Sequence, residues 1–357
     1  MISYDGWDRE YLKNKAAYLD IFDSFMSQLN YENNEKFEDK IKHYTGREHV
    51  VSVASATDAL GFSLACHGVG PGDEVLVTDF SWISSSSCIS MVGATPVFCD
   101  INLDTYHVSL DSIKRMTTEK TKAIIYTHLF GNMVDVTDII EYCKENKIWF
   151  IEDAAQSIGS SYDGTKAGSI GHCSSYSFNS NKVIAGINGG GIFMTDNEST
   201  ADTVRKLRRH GKDKDFNILG HNSRMYVLNA MIIEQRMKNL VETQTTRQEI
   251  AKRYNDAFSN LPIVTQQPNE LLNHNWHKYT IRLKDKETRK KVKDKLGLSI
   301  HYEKPLSNNT MYLNIPHKKD KCVNSKLVSD TIVSLPIHAW LTDDEIESII
   351  TTVRNSV

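Results

Sequence analysis

The sequence predicts an α/β fold, with a large domain on a mainly parallel sheet flanked by helices and a small α+β domain at the C-terminus. Three observations carry this expectation. Short β-rich runs alternate with helical stretches from Val50 to Ile151, the spacing of βαβ units. Several of those runs are apolar on successive residues, as strands covered on both faces are. Beyond Thr195 the texture turns to long helical patterns with a few short strands, and 357 residues exceed one ordinary domain. The expected division is an N-terminal segment and large domain over 1–245 and a small domain over 246–357.

The elements follow in order. A polar, acidic lead to about residue 47 carries the helical patterns Phe22-Phe25-Met26-Leu29 and Phe37-Ile41-Tyr44. Val50-Val51-Ser52-Val53 reads as a buried strand, and Thr57 to His67 as a helix that starts on a polar turn. After the Pro71-Gly72-Asp73 turn, strands are expected at Glu74–Val77, Pro96–Asp100, Ala123–Tyr126 and Trp149–Ile151, with a helix around Asp138–Cys143. Tyr226 to Phe258 reads as one long helix. Lys278–Leu283 reads as an edge strand, 286–296 as a helix, and the neighbourhood of Ile300 as a strand. Ser334-Leu335-Pro336-Ile337 precedes a final helix opened by Thr342-Asp343-Asp344-Glu345.

Bulk properties exclude several classes. A net charge of −3 gives no reason to expect nucleic acid or an anionic membrane as partner. The six cysteines, at 66, 88, 99, 143, 173 and 322, include no C-x-x-C pair, which argues against a disulfide framework or zinc site and fits a reducing cytosol. Met1-Ile2-Ser3-Tyr4-Asp5 lacks the basic-then-apolar pattern of a signal peptide, and no apolar run nears the roughly 20 residues of a membrane span. No metal site is expected, and a cytoplasmic location is.

Lys182 is the residue around which chemistry collects. It follows the strand-like Ser174-Ser175-Tyr176-Ser177-Phe178 on a loop that ends in Gly189-Gly190-Gly191, where the backbone can turn tightly and approach a ligand. A lysine partly removed from water has a lowered pKa, and its free amine attacks aldehydes. Asp153 ends an apolar strand at the carboxyl edge where open sheets bind ligands; it also suits the N-cap of a following helix. Gln156 lies three residues on, where a helical turn brings it to the same side. Thr57 and Asp58 open a helix whose N-terminus suits a phosphate. Trp82 follows a strand and offers a flat ring, though a tryptophan taken in isolation is more often core. An imine-forming lysine, a carboxylate for a pyridinium nitrogen and a hydroxyl-rich turn for a phosphate match pyridoxal 5'-phosphate.

These stretches together resemble the DegT/DnrJ/EryC1/StrS family of pyridoxal-phosphate-dependent sugar aminotransferases, a branch of the aspartate-aminotransferase fold type. The resemblance runs in order through Ser55-Ala56-Thr57-Asp58-Ala59-Leu60, Val69–Val75, Gly93–Phe98, His128-Leu129-Phe130-Gly131-Asn132, Glu152-Asp153-Ala154-Ala155-Gln156, the Lys182 segment, Gly220–Met225 and Ser334–His338. It implies a seven-stranded type of mixed sheet. It implies that Lys182 bonds the cofactor, Asp153 partners the ring nitrogen and Gln156 binds the ring's 3-oxygen. Trp82 covers the ring, and Thr57, Asp58 and Ser177 contact the phosphate. Asn222 is implied to reach the phosphate of a neighbouring subunit's cofactor in a homodimer, with Arg224 a second candidate for that shared region. The chain departs from the family pattern at Ile187-Asn188-Gly189, where a small residue and a glutamate are usual. It departs again at Met225–Asn229, which lacks the common acidic residue and glutamine. Both departures are expected at the mouth of the site.

The function so implied is transfer of an amino group from L-glutamate to a nucleotide-diphosphate keto-deoxysugar, at C4 of a 4-keto-6-deoxyhexose. Amination at C3 and a non-catalytic cofactor-binding regulator are the alternatives. A related branch of dehydratases carries histidine in place of the lysine, and Lys182 argues against it. Arg208, Arg209, Lys212 and Lys214 are candidates for the diphosphate.

Overall fold

The computed structural model describes residues 5–27, 32–213 and 215–357. Leu29 and Lys214, and the Met1–Tyr4 start, lie outside the described residues.

The large sheet runs, edge to edge, His49–Val53, Gly191–Thr195, Cys173–Ser177, Trp149–Asp153, Thr121–Thr127, Glu74–Thr78, Thr95–Cys99 and Lys318–Lys319. Seven of these have five or seven residues; the two-residue Lys318–Lys319 is added alongside Thr95–Cys99. All pairings are parallel except the two made by Gly191–Thr195, which is antiparallel to both neighbours. The central strands are apolar throughout because helices cover both faces: Val75, Leu76, Val77, Ile124, Ile125 and Ile151 are fully buried. Parallel strands place their carboxyl ends on one edge, where Asp153 lies.

The Ala56–Cys66 helix begins one residue ahead of the expected turn, with Ser55 Oγ capping Asp58 N at 3.1 Å. The final helix, Asp343–Arg354, is opened by a capping box between Thr342 and Glu345.

The C-terminal part centres on a three-stranded antiparallel sheet of Val264–Thr265, Tyr279–Arg282 and Ile332–Leu335, covered by Leu240–Phe258, Lys286–Leu296 and Asp343–Arg354. The expected boundary at 245/246 falls inside the helix Leu240–Phe258. Leu272–Asn273 pairs with Ser161–Tyr162 and Lys318–Lys319 joins the large sheet, so the later chain crosses back twice.

Four expectations are corrected. The single helix from Tyr226 to Phe258 is two, Val227–Met237 and Leu240–Phe258; at Lys238 and Asn239 the N–H groups reach back three residues, and the restart buries Leu240. Tyr279–Arg282 is a central strand, since a two-residue strand too short to read in the sequence covers its other side. No strand forms near Ile300, where the chain runs as an irregular loop into Tyr302. The chain after Asp153 makes tight turns, Ser157 N to Ala154 O and Ser160 N to Ser157 O, so Asp153 caps no helix there.

Candidate active site

Asp153 ends its strand almost completely buried, and three donors hold it. Ser85 Oγ donates to Oδ2 at 2.9 Å, Thr127 Oγ1 donates to the same oxygen at 3.2 Å, and Ala155 N donates to Oδ1 at 3.2 Å. Ser85 Oγ lies 2.9 Å from Ser81 Oγ, which extends the hydroxyl chain. Donors aimed at a carboxylate fix its direction. The preceding Glu152 serves the scaffold: its oxygens accept from Gly168 N at 2.6 Å and Ile170 N at 2.8 Å, and Oε1 meets His128 Nε2 at 3.0 Å.

Gln156 reaches the same region by a turn. Its Oε1 accepts from Phe130 N at 2.9 Å and its Nε2 donates to Tyr302 Oη at 3.2 Å. Tyr302 lies against Phe80, Phe130 and Trp82, with ring centroids 5.8, 6.2 and 6.2 Å away. Burial raises its phenol well above the ordinary value, so it stays a neutral donor and acceptor. Trp82 is 57% exposed, which leaves an indole available to a planar ligand and argues against a core role.

Lys182 is half-buried on the loop after Cys173–Ser177, with its N–H bonded to Asn179 O at 3.0 Å. Burial pushes its ammonium down to about 8, while the charge of Asp153 pulls in the other direction. A lysine held there keeps an appreciable fraction of free amine near neutral pH. The loop beyond it is organised by Asn229, which is buried. Asn229 Oδ1 accepts from Ile187 N at 2.8 Å and Nδ2 donates to Gly189 O at 2.7 Å. This residue, expected at the mouth, faces the inside of the glycine loop instead. Gly191 admits no side chain, since a Cβ would stand 2.3 Å from Ser55 C and 2.4 Å from Ala56 N. The glycine run thus brings the Lys182 loop directly against the Ser55–Asp58 turn.

At that turn Thr57 Oγ1 donates to Ser84 Oγ at 2.9 Å, and Ser177 Oγ accepts from Asn179 N at 3.3 Å. The Asp58 carboxylate accepts from Ser223 Oγ at 2.7 Å, and Ser223 Oγ accepts in turn from Ala54 N at 3.0 Å. Asn222 and Arg224, on either side of Ser223, are exposed. The structure therefore brings Lys182, Asp153, Gln156 and Trp82 to one side of the sheet edge, with Thr57, Asp58 and Ser177 at its phosphate-like turn. It holds Asn222 outward on a loop pinned to that turn. Arg208 is spoken for, since its Nη1 donates to Glu38 Oε1 and Ser52 O at 2.6 Å each; Arg209 and Lys212 are exposed.

Sequence reasoning missed Ser85, Thr127 and Tyr302. The run Ser84-Ser85-Ser86-Ser87 after Trp82, which opens the helix Ser84–Met91, was a usable signal, because four successive hydroxyls place donors on every side of that turn. Tyr302 sits on a loop with no periodic pattern.

The donor set suits pyridoxal phosphate: an amine at lowered pKa, a carboxyl group held in a fixed direction, an available indole and a helix N-terminus flanked by hydroxyls. The pattern of the DegT/DnrJ/EryC1/StrS aminotransferase family matches residues 13–354. The chain belongs to this family. It is accordingly a pyridoxal-phosphate-dependent sugar-nucleotide aminotransferase. GDP-perosamine synthase of Caulobacter vibrioides is 32% identical over 327 residues, covering 88% of this chain and 87% of that one. The dTDP-3-amino-3,6-dideoxy-alpha-D-galactopyranose transaminase of Aneurinibacillus thermoaerophilus is 31% identical over 328 residues, covering 90% and 89%. The crystal structure of a family aminotransferase from Brucella abortus superposes with a TM-score of 0.92 at 27% identity, covering 99% of both chains. No helix among the described residues is long and apolar enough to cross a membrane.

Proposed function

We propose that this aminotransferase moves an amino group from L-glutamate to a nucleotide-linked keto-deoxyhexose, with C4 of a 4-keto-6-deoxyhexose as the first reading. The observation that carries the chemistry is the lysine amine at about 8 beside a carboxylate held by three donors. Pyridoxal phosphate supplies, when bound, an aldehyde for amines and a ring that accepts an electron pair. Asp153 would hold a proton on the ring nitrogen, and Ser85 and Thr127 fix the direction of its carboxylate for that task. Lys182, as free amine, takes a proton from the donor's α-carbon and returns one to the sugar carbon. Gln156 Nε2 would bind the ring's 3-oxygen, Trp82 would cover the ring, and Thr57, Asp58 and Ser177 would hold the phosphate.

Asn222 completes the phosphate site of a partner subunit in a homodimer; its exposure on an anchored loop supports this reading. The six free cysteines fit work in a reducing cytoplasm. Amination at C3 is the second reading, favoured by the 3-amino sugar in the name of the Aneurinibacillus relative. A panel of 3-keto and 4-keto sugar nucleotides with L-glutamate, read by mass spectrometry, separates the two. Product from a 4-keto-6-deoxyhexose supports the first reading, product from 3-keto substrates alone supports the second, and no amination of any member refutes both.

A further inference from the structure

Two walls of the site come from distant parts of the chain, and one buried carboxylate ties them together. Asp79 follows the strand Glu74–Thr78, at the sheet edge where Asp153 also lies, and it is fully buried. Its side-chain partner stands 228 positions away, in the short turn Leu306–Asn308. Ser307 N donates to Asp79 Oδ1 at 2.7 Å and Ser307 Oγ donates to Oδ2 at 3.1 Å. Leu306 N donates to the Asp79 carbonyl at 2.7 Å.

Both sides of this clamp carry active-site groups. Phe80 and Trp82 follow Asp79 directly, and Tyr302 stands shortly before Leu306. The Tyr302 ring lies 5.8 Å from Phe80 and 6.2 Å from Trp82, and its Oη accepts from Gln156 Nε2. Ser81, between the two aromatic residues, meets Ser85 Oγ at 2.9 Å, and Ser85 donates to Asp153. Trp82, Tyr302, Lys304, Leu306 and Asn309 line one groove.

Burial raises the Asp79 carboxyl to about 6, against the pull of Ser307, Cys322 and Lys319. It is therefore mainly ionised at neutral pH, and a buried carboxylate is tolerated where its oxygens are hydrogen-bonded. Ser307 meets both oxygens, so release of the loop would leave a charge without partners and out of water. The outer part of the loop is held more weakly. Glu303 and Lys304 are exposed, and Glu303 meets Lys293 in a surface ion pair at 3.3 Å, a kind of contact that contributes little.

We propose that Asp79 is a positioning residue for amino transfer: through Ser307 it fixes the loop carrying Tyr302 against the segment carrying Trp82, and so sets the width of the groove that receives the keto sugar. The proposal rests on the aminotransferase reading. The sugar nucleotide fills the groove, whereas L-glutamate needs only the space beside Lys182, so the two half-reactions respond differently.

Hydrogen exchange read by mass spectrometry on cofactor-loaded enzyme, together with single-turnover half-reactions, tests this. In Asp79→Ala the peptide spanning Tyr302–Asn309 exchanges roughly tenfold faster. The half-saturating concentration of the keto-sugar nucleotide aminated in the panel rises roughly tenfold, while that of L-glutamate stays within about threefold. Asp79→Asn, whose amide oxygen still accepts from Ser307 N, stays within about threefold of wild type in all three readings. Unchanged exchange in Asp79→Ala overturns the proposal, as does any pattern in the half-reactions other than a rise for the keto sugar alone. If Asp79→Ala does not fold, Ser307→Ala decides, because it removes only the Oγ bond: a rise of roughly three- to tenfold for the keto sugar supports the proposal, and no rise overturns it. The exchange measurement needs no turnover, so it stands apart from failure to aminate any keto-sugar nucleotide.

Discussion

Asn229 is a test of how the Lys182 loop is held, because its loss leaves identifiable backbone groups without partners. Its two short hydrogen bonds go to Ile187 N at 2.8 Å and Gly189 O at 2.7 Å, from a side chain that is 3% exposed. Each buried group left unsatisfied costs about 1–3 kcal/mol, so Asn229→Leu, which keeps the volume and excludes a rescuing water, should destabilise by about 2–5 kcal/mol. Asn229→Asp keeps the acceptor for Ile187 N but turns an oxygen toward Gly189 O, and should lose at least as much. Gly186, where a Cβ would lie 2.3 Å from Asn229 Oδ1, shows how closely the loop is wrapped on this amide. The assay is urea unfolding of the cofactor-free protein, followed by the rate of cofactor release from loaded enzyme, which should rise as the loop loosens. If Asn229→Leu changes stability by less than about 0.5 kcal/mol, the size of an ordinary surface substitution, the loop is held by something else.

Further outcomes follow from the same geometry. Asp153→Asn should fold and bind some cofactor but lose most turnover, while Gln156→Ala, which removes hydrogen bonds worth roughly 1 kcal/mol each, should be milder; equal turnover of Asp153→Asn and wild type in a glutamate half-reaction would remove Asp153 from the mechanism. Capture of pyridoxal phosphate by cofactor-free protein needs the neutral amine, so its rate should rise with pH and level off above about 8, rather than near the ordinary lysine value of 10.5. Because the Asp153 charge stabilises the ammonium, Asp153→Asn should move that midpoint lower, and an upward shift contradicts the assigned direction. Lys182→Ala and Asn222→Ala proteins, each inactive or weak alone, should regain partial activity when mixed and allowed to exchange subunits; no recovery despite proven exchange places Asn222 outside a partner's site.

Much of the large domain was legible because its strands are unbroken apolar runs between polar turns, a pattern that local sequence displays directly. Asp153 and Gln156 stand out for a related reason, since they follow the apolar strand Trp149–Ile151, whereas Lys182 follows a serine-rich strand and stands out by the glycine run beyond it. What holds those residues was not legible. Ser85 and Asp153 are separated by 68 positions and Gln156 and Tyr302 by 146, so only folding reveals the pairs. The small domain misled for the same cause, since the two-residue Val264–Thr265 gives no pattern yet makes Tyr279–Arg282 central. Lys278, read as part of an edge strand, instead precedes the strand Tyr279–Arg282 and is buried, with its N–H bonded to Phe130 O at 3.3 Å. The helix break at Lys238–Asn239 is set by packing of Leu240, which two polar residues in a long helical pattern do not announce.

The central claim is that Lys182 carries the cofactor, and borohydride reduction followed by peptide mass spectrometry tests it most directly. Purified enzyme loaded with pyridoxal phosphate should be yellow, and reduction should abolish the visible band while fixing the cofactor irreversibly to the peptide that contains Lys182. Lys182→Ala should bind less cofactor and yield no reduced adduct. Recovery of the label on another lysine, Lys278 included, or absence of any label from a yellow wild-type protein, would contradict the account.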